Sequence, residues 1–123
     1  MKTTTLQLLP TTTYGTPSGT YDGSSEDFNG VRQQAANYYG GFGGLQTIAF
    51  YFNGFQGRVE LQATLESAPT QDSDWFRVYD VDYTDSSVAT VNFSTNITGN
   101  FVWIRARVEQ FTAGTISRVI MSY

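Results

Sequence analysis

The chain has 123 residues, a formal charge of −4, only 15% charged residues, and neither histidine nor cysteine. That length permits one hydrophobic core without crosslinks. The missing side chains exclude Ser/His and Cys/His nucleophile systems, thiolate or imidazole metal sites and disulfides, and the acidic balance gives no basic footprint for a nucleic-acid backbone.

Aromatic residues make up 15% of the chain, and its polar surface is drawn from Thr, Ser, Asn, Gln and Gly, which suits a half-buried sheet better than a helix. Met1 to Pro10 carries one cation and no apolar run of signal-peptide length. No later segment approaches a membrane span, so no membrane partner is expected. Residues 1–30 read as an N-terminal strand followed by an extended arm or long loop, with turns at Tyr14-Gly15, Pro17-Ser18-Gly19 and Asp22-Gly23. A plain surface loop and an inter-subunit arm both fit that composition.

Residues 31–123 read as the folded domain. Gln33 to Ala36 would tolerate a helical turn, whereas Asn37-Tyr38-Tyr39 looks extended. The glycine cluster Gly40-Gly41-Phe42-Gly43-Gly44 breaks the chain but lacks the strand, helix and lysine of a phosphate-cradling loop. Gln46 to Asn53 puts Ile48, Phe50 and Phe52 on one face, and Asn53-Gly54 is a hairpin-type turn signal. From Arg58 to Glu66 the alternation is clean: Val59, Leu61, Ala63 and Leu65 face one way, Arg58, Glu60, Gln62 and Thr64 the other.

Ser67 to Asp74 reads as an exposed loop and Trp75 to Val81 as a strand, with Trp75 anchoring re-entry into the core. Val88 to Phe93 is a further strand and Asn96 to Asn100 a loop. In the next segment Val102, Ile104, Ala106 and Val108 oppose Phe101, Trp103, Arg105 and Arg107. Thr112-Ala113-Gly114 reads as the last turn, after which Thr115 to Tyr123 pairs with its predecessor. The expected fold is all-β: an antiparallel β-sandwich, jelly-roll-like, of about seven or eight strands.

Candidate chemistry is sparse. Glu60, Glu66, Asp72, Asp74, Asp80, Asp82 and Asp85 could supply the paired acids of a glycosidase, but most fall in turns where solvated acids are ordinary. Asp80, Asp82 and Asp85 lie close enough to hold calcium, without EF-hand spacing. Asn92-Phe93-Ser94 and Asn96-Ile97-Thr98 match glycosylation sequons that a Thr/Ser-rich chain produces by chance. The expectation is a protein that is not an enzyme and carries no cofactor. Tyr38, Tyr39, Tyr51, Tyr79 and Tyr83 are possible platforms for sugar rings.

Tyr38-Tyr39-Gly40, Leu45 to Ile48, Phe55 to Leu65, Pro69-Thr70, Asp74-Trp75-Phe76, Thr98 to Ala106 and Phe111 to Ile116 together resemble a pattern in virion structural proteins of tailed phages, especially contractile-tailed phages of marine cyanobacteria. The resemblance spans about Tyr38 to Tyr123. It implies a location in the virion as a capsid decoration, neck or tail accessory subunit, partners among the other virion proteins, and self-association, with a trimer favoured. It carries over no catalytic residue. Trp103, Arg105, Arg107 and Tyr123 are the expected contact residues, because a large ring on the outer face of a strand calls for a cover. The rival expectation is a carbohydrate-binding jelly-roll module that attaches to a host glycan.

Overall fold

The computed structural model describes residues 5–38, 43–85 and 89–123. It is an all-β structure whose eight strands form one antiparallel sheet by hydrogen bonding. They are β1 (Thr5–Leu9), β2 (Thr12–Thr13), β3 (Phe28–Asn29), β4 (Gln33–Gln34), β5 (Leu45–Thr64), β6 (Phe76–Asp82), β7 (Ala89–Thr98) and β8 (Trp103–Ser122).

Two 20-residue strands organise everything else. β5 and β8 pair with each other from Thr47↔Ser122 to Thr64↔Trp103. Along its first half β5 also pairs with β7, and along its second half with β6. β8 pairs first with β4 and β3, then with β2 and β1. The sheet therefore has two four-layered-in-plane halves: β1/β2, β8, β5, β7 in one, and β3/β4, β8, β5, β6 in the other.

These halves fold onto each other. Gln33 pairs with Ile104 and Gln7 with Ile120, positions about 50 Å apart on a straight strand. Yet Gln33 Nε2 donates to the Gln7 carbonyl at 2.9 Å. Likewise, Tyr79 sits opposite Leu61, about 36 Å along an unbent β5 from Phe50, but the Phe50 and Tyr79 rings lie 6.2 Å apart. Both long strands must double over between these points.

The corner lies where sequence reading placed reversals. Asn53-Gly54 does not end a strand, and Thr112-Ala113-Gly114 does not begin a new one: each is a bend within a continuous strand. Gly54, Gly57, Gln110 and Gly114 all have positive φ, and Gln110 is the one non-glycine to do so among the described residues. Register shifts in β5 between Phe52 and Phe55 and between Gln56 and Arg58 mark bulges at this point.

Those bulges reset side-chain parity. Even-numbered Ile48, Phe50 and Phe52 are buried before the bend, and odd-numbered Phe55, Val59, Leu61 and Ala63 after it. β8 changes more than once: the buried row runs from Ile104, Ala106 and Val108 to Phe111, then Ile116, then Val119 and Met121, with register shifts opposite Gln56/Arg58, Asn53/Gln56 and Tyr51/Phe52. Without an extra residue, one half would turn its apolar row outward. Leu65 and Val102 fall outside the strands; Leu65, expected on the inner row, is 65% exposed.

The segment before residue 31 is part of the same core. Leu8 and Leu9 are fully buried on β1, and Tyr21 and Phe28 pack with Phe111 across ring distances of 4.8 to 6.2 Å. Gly15 N donates to Tyr21 Oη at 3.0 Å, which fixes the loop that carries the ring. Thus residues 10–30 fold against their own chain and fill the corner end of the core.

Candidate functional site

The outer faces of the two halves differ in chemistry, and each follows from one alternating row of the sequence. On the β6 side, the polar row Arg58, Glu60, Gln62, Thr64 of β5 meets the row Glu109, Arg107, Arg105, Trp103 of β8, residue against residue; Thr64, at its end, is fully buried. Arg58 pairs with Glu109, Arg107 Nε lies 3.5 Å from Glu109 Oε2, and Arg107 also donates to Asn29 Oδ1 at 2.9 Å. Arg105 donates to Gln62 Oε1 at 2.7 Å and to Asp72 Oδ1 at 3.1 Å.

Three of the four expected contact residues lie on this face, already engaged by their own chain. Trp103 is half-buried: its Nε1 donates to the Ser67 carbonyl at 2.9 Å, Arg32 lies 4.4 Å over its ring, and Tyr38 meets it edge-on at 5.1 Å. Arg105 is only 9% exposed, and its guanidinium stacks 4.3 Å above Trp75. Trp75 therefore sits on the outer surface under Arg105, not in the core. The loop between β5 and β6 closes over this pair, held by Asp74 Oδ2, which accepts from Thr70 N and Gln71 N at 2.9 and 3.2 Å. A cleft of about 210 Å³ remains between Arg32, Trp75, Arg105 and the loop. The fourth residue, Tyr123, follows the end of β8, and its hydroxyl donates at 3.0 Å to the carbonyl of Gln34, the residue paired with Trp103, so it ties the two halves.

The acids show the stamp of local hydrogen bonding. Backbone and side-chain donors of Ser25 and Ser24 lower Asp22 to about 2, and the Thr84 hydroxyl and amide lower Asp82. Asp74 is lowered by the amides of Thr70 and Gln71. Burial works against the charge on Glu109, but the hydrogen bond and charge of Arg58, with Arg107, outweigh it and hold the group below its ordinary range. Asp74 and Asp82, two of the candidate acids, are thus shifted away from the raised pKa of a general acid. Among the described residues no three acids converge as a metal site.

A pH prediction follows. A carboxyl whose folded pKa is depressed adds stability above its unfolded pKa and loses it as pH falls. The melting temperature should stay level from pH 7 to about 5 and fall steeply below about 4.5. Glu109→Gln should cost about 1 kcal/mol at neutral pH and shrink the acid loss by a similar amount, read from denaturant midpoints at both pH values.

Of the possible sugar platforms, Tyr39 lies outside the described residues. Tyr51 carries Arg118 3.8 Å over its ring, Tyr79 and Tyr83 pack against the core, and Tyr38 lies against Trp103.

The other face is different. β7 and the facing part of β5 present Thr47, Asn53, Thr90, Asn92, Ser94, Asn96 and Thr98, with no charge among them. Gly99 N donates to the Gly44 carbonyl, which sets the hydrogen-bond alternation of the β5–β7 ladder. Val91, Phe93, Thr95 and Ile97 then bond to β5, while the amides and carbonyls of Thr90, Asn92, Ser94, Asn96 and Thr98 point away from the sheet. Among the described residues no strand pairs with that side of β7. Sequence reading ended this strand at Phe93 and assigned Asn96 to Asn100 to a loop; the strand runs on to Thr98 because Leu45 to Ile48 pair with it.

No family model matches the chain, and no curated protein or solved structure matches it either.

Proposed function

We propose that this chain is a non-enzymatic structural subunit of a tailed-phage virion, a capsid decoration, neck or tail accessory protein that works by joining copies of itself and neighbouring virion proteins. In this reading the doubled sheet is a β-sandwich, a shape that offers two faces and its free edges to neighbours. The virion setting rests on the sequence resemblance of residues 38–123.

The observation that carries the assembly reading is the outer edge of β7. Natural sheet proteins guard long edges with charge, proline or bulges, because a row of free amides and carbonyls is a template for another strand. β6 follows that rule, with Arg77, Asp80 and Asp82 in seven residues. β7 does not: its ten residues, ATVNFSTNIT, hold no charge, no proline and no glycine.

Two measurements test the reading. Sedimentation of the pure protein at micromolar concentration should give an assembly heavier than the 13.7 kDa monomer. Mass spectrometry of purified phage particles should find the chain in stoichiometric amount. A protein that stays monomeric and is absent from particles would overturn it.

A further inference from the structure

We infer that β7 is a two-fold self-pairing edge: two copies join β7 to β7 antiparallel, with Ser94 opposite Ser94 on the axis. The inference rests on the assembly reading above and names the partner for that edge.

The register follows from backbone chemistry. Only Thr90, Asn92, Ser94, Asn96 and Thr98 aim amides and carbonyls outward, so a second strand must bond to these residues. With an identical strand, pairing Ser94 with Ser94 puts Asn92 opposite Asn96 and Thr90 opposite Thr98. All five positions are then used from both copies, giving about ten backbone hydrogen bonds. A shift of two residues in either direction leaves an end position unmatched, and a shift of one sets bonding residues against non-bonding ones.

Side chains and charge favour the same occupant. On the outer face Thr meets Thr and Asn meets Asn, pairs that hydrogen-bond across strands. On the inner face Val91 comes opposite Ile97 and Phe93 opposite Thr95 of the second copy, covering Val91, now 37% exposed, and the half-exposed ring of Phe93. Each chain carries −4, so two copies repel wherever charged surfaces meet. The β7 edge has no ionisable side chain, which lets copies meet without like charges opposed, whereas β6 would set Asp80 and Asp82 against a second acidic molecule.

The absence of cysteine makes the test clean. In the proposed register the Ser94 Cα atoms lie about 5.5 Å apart, within disulfide range. Ser94→Cys with oxidised glutathione should give a covalent dimer in nearly full yield. Asn92→Cys, whose counterpart lies about 14 Å away on the partner strand, should give almost none, and the double variant Asn92→Cys/Asn96→Cys should restore it. Ser94→Lys should weaken self-association at least 100-fold by sedimentation, and its melting curve should match the wild type's at dilutions where both are monomeric, because the side chain is exposed on the folded chain. An assembly that persists in Ser94→Lys and yields no Ser94→Cys crosslink would overturn the β7 pairing while leaving the assembly reading standing. A trimer without the crosslink would do the same. A wild-type chain that is monomeric throughout would remove both.

Discussion

Gly114→Ala is expected to lower the unfolding free energy by about 3 kcal/mol or more, a large fraction of what a domain of this size commonly has. At Gly114 φ is +84°, a region that costs an L-residue about 1–2 kcal/mol. The larger effect is steric. A Cβ there would collide with the Gly54 carbonyl and lie 2.7 Å from Phe55 N, both backbone atoms of the facing strand at its own bend. Neither can move without opening the corner, so Phe55 and Phe111, packed 5.7 Å apart beside it, would lose their contact. Gly54→Ala is the matching control: its φ is +63° but its Cβ would meet nothing within 4 Å, so only the conformational cost of about 1 kcal/mol should appear. Urea midpoints for the two variants separate strain from collision.

The second large effect is expected at Gln46→Leu, at about 3 kcal/mol. Gln46 is fully buried, and its amide is satisfied three times: Oε1 accepts from Ala36 N at 2.9 Å, and Nε2 donates to the carbonyls of Gly44 and Ile97 at 2.8 and 2.7 Å. It thereby joins the segment ahead of β5, the start of β5 and the end of β7. Leucine fits the volume but leaves one amide and two carbonyls without this partner in the interior, where each lost bond carries a desolvation penalty. Hydrogen exchange gives a local readout: the Ala36 amide should lose protection well before the central amides of β5.

These two positions show what a single sequence can and cannot disclose. The rows Arg58 to Thr64 and Trp103 to Arg107 were readable because alternation is a local property of a strand with one wet face. That the two rows lie side by side as ion pairs was not readable, since it depends on the pairing of residues about 40 to 50 apart. Asn53-Gly54 and Ala113-Gly114 carry the chemistry of a turn, but whether glycine reverses a chain or bends it depends on what packs opposite, here another glycine bend. A glutamine at the head of a strand looks like any surface polar residue, and nothing local marks Gln46 as buried.

The candidate edge was half legible. Its lack of charge is plain in the sequence, but being an edge is a property of strand order, which local pattern does not fix. Trp103 and Arg105 were correctly placed on an outward face; the loop that folds over them, fastened by Asp72 and the carbonyls of Ser67 and Pro69, comes from elsewhere in the chain.

Because β5 and β8 each run through both halves, neither half owns a complete set of strands. Cutting or melting one removes half of the ladder that supports the other, so the molecule should lose structure in a single all-or-none step. Nearly every pairing joins distant parts of the chain, and such topology folds slowly, on the order of milliseconds to seconds. The pairing of β1 with the end of β8 sets Thr5 against Ser122, a contact that spans nearly the whole described chain and that closes only when both long strands are in place.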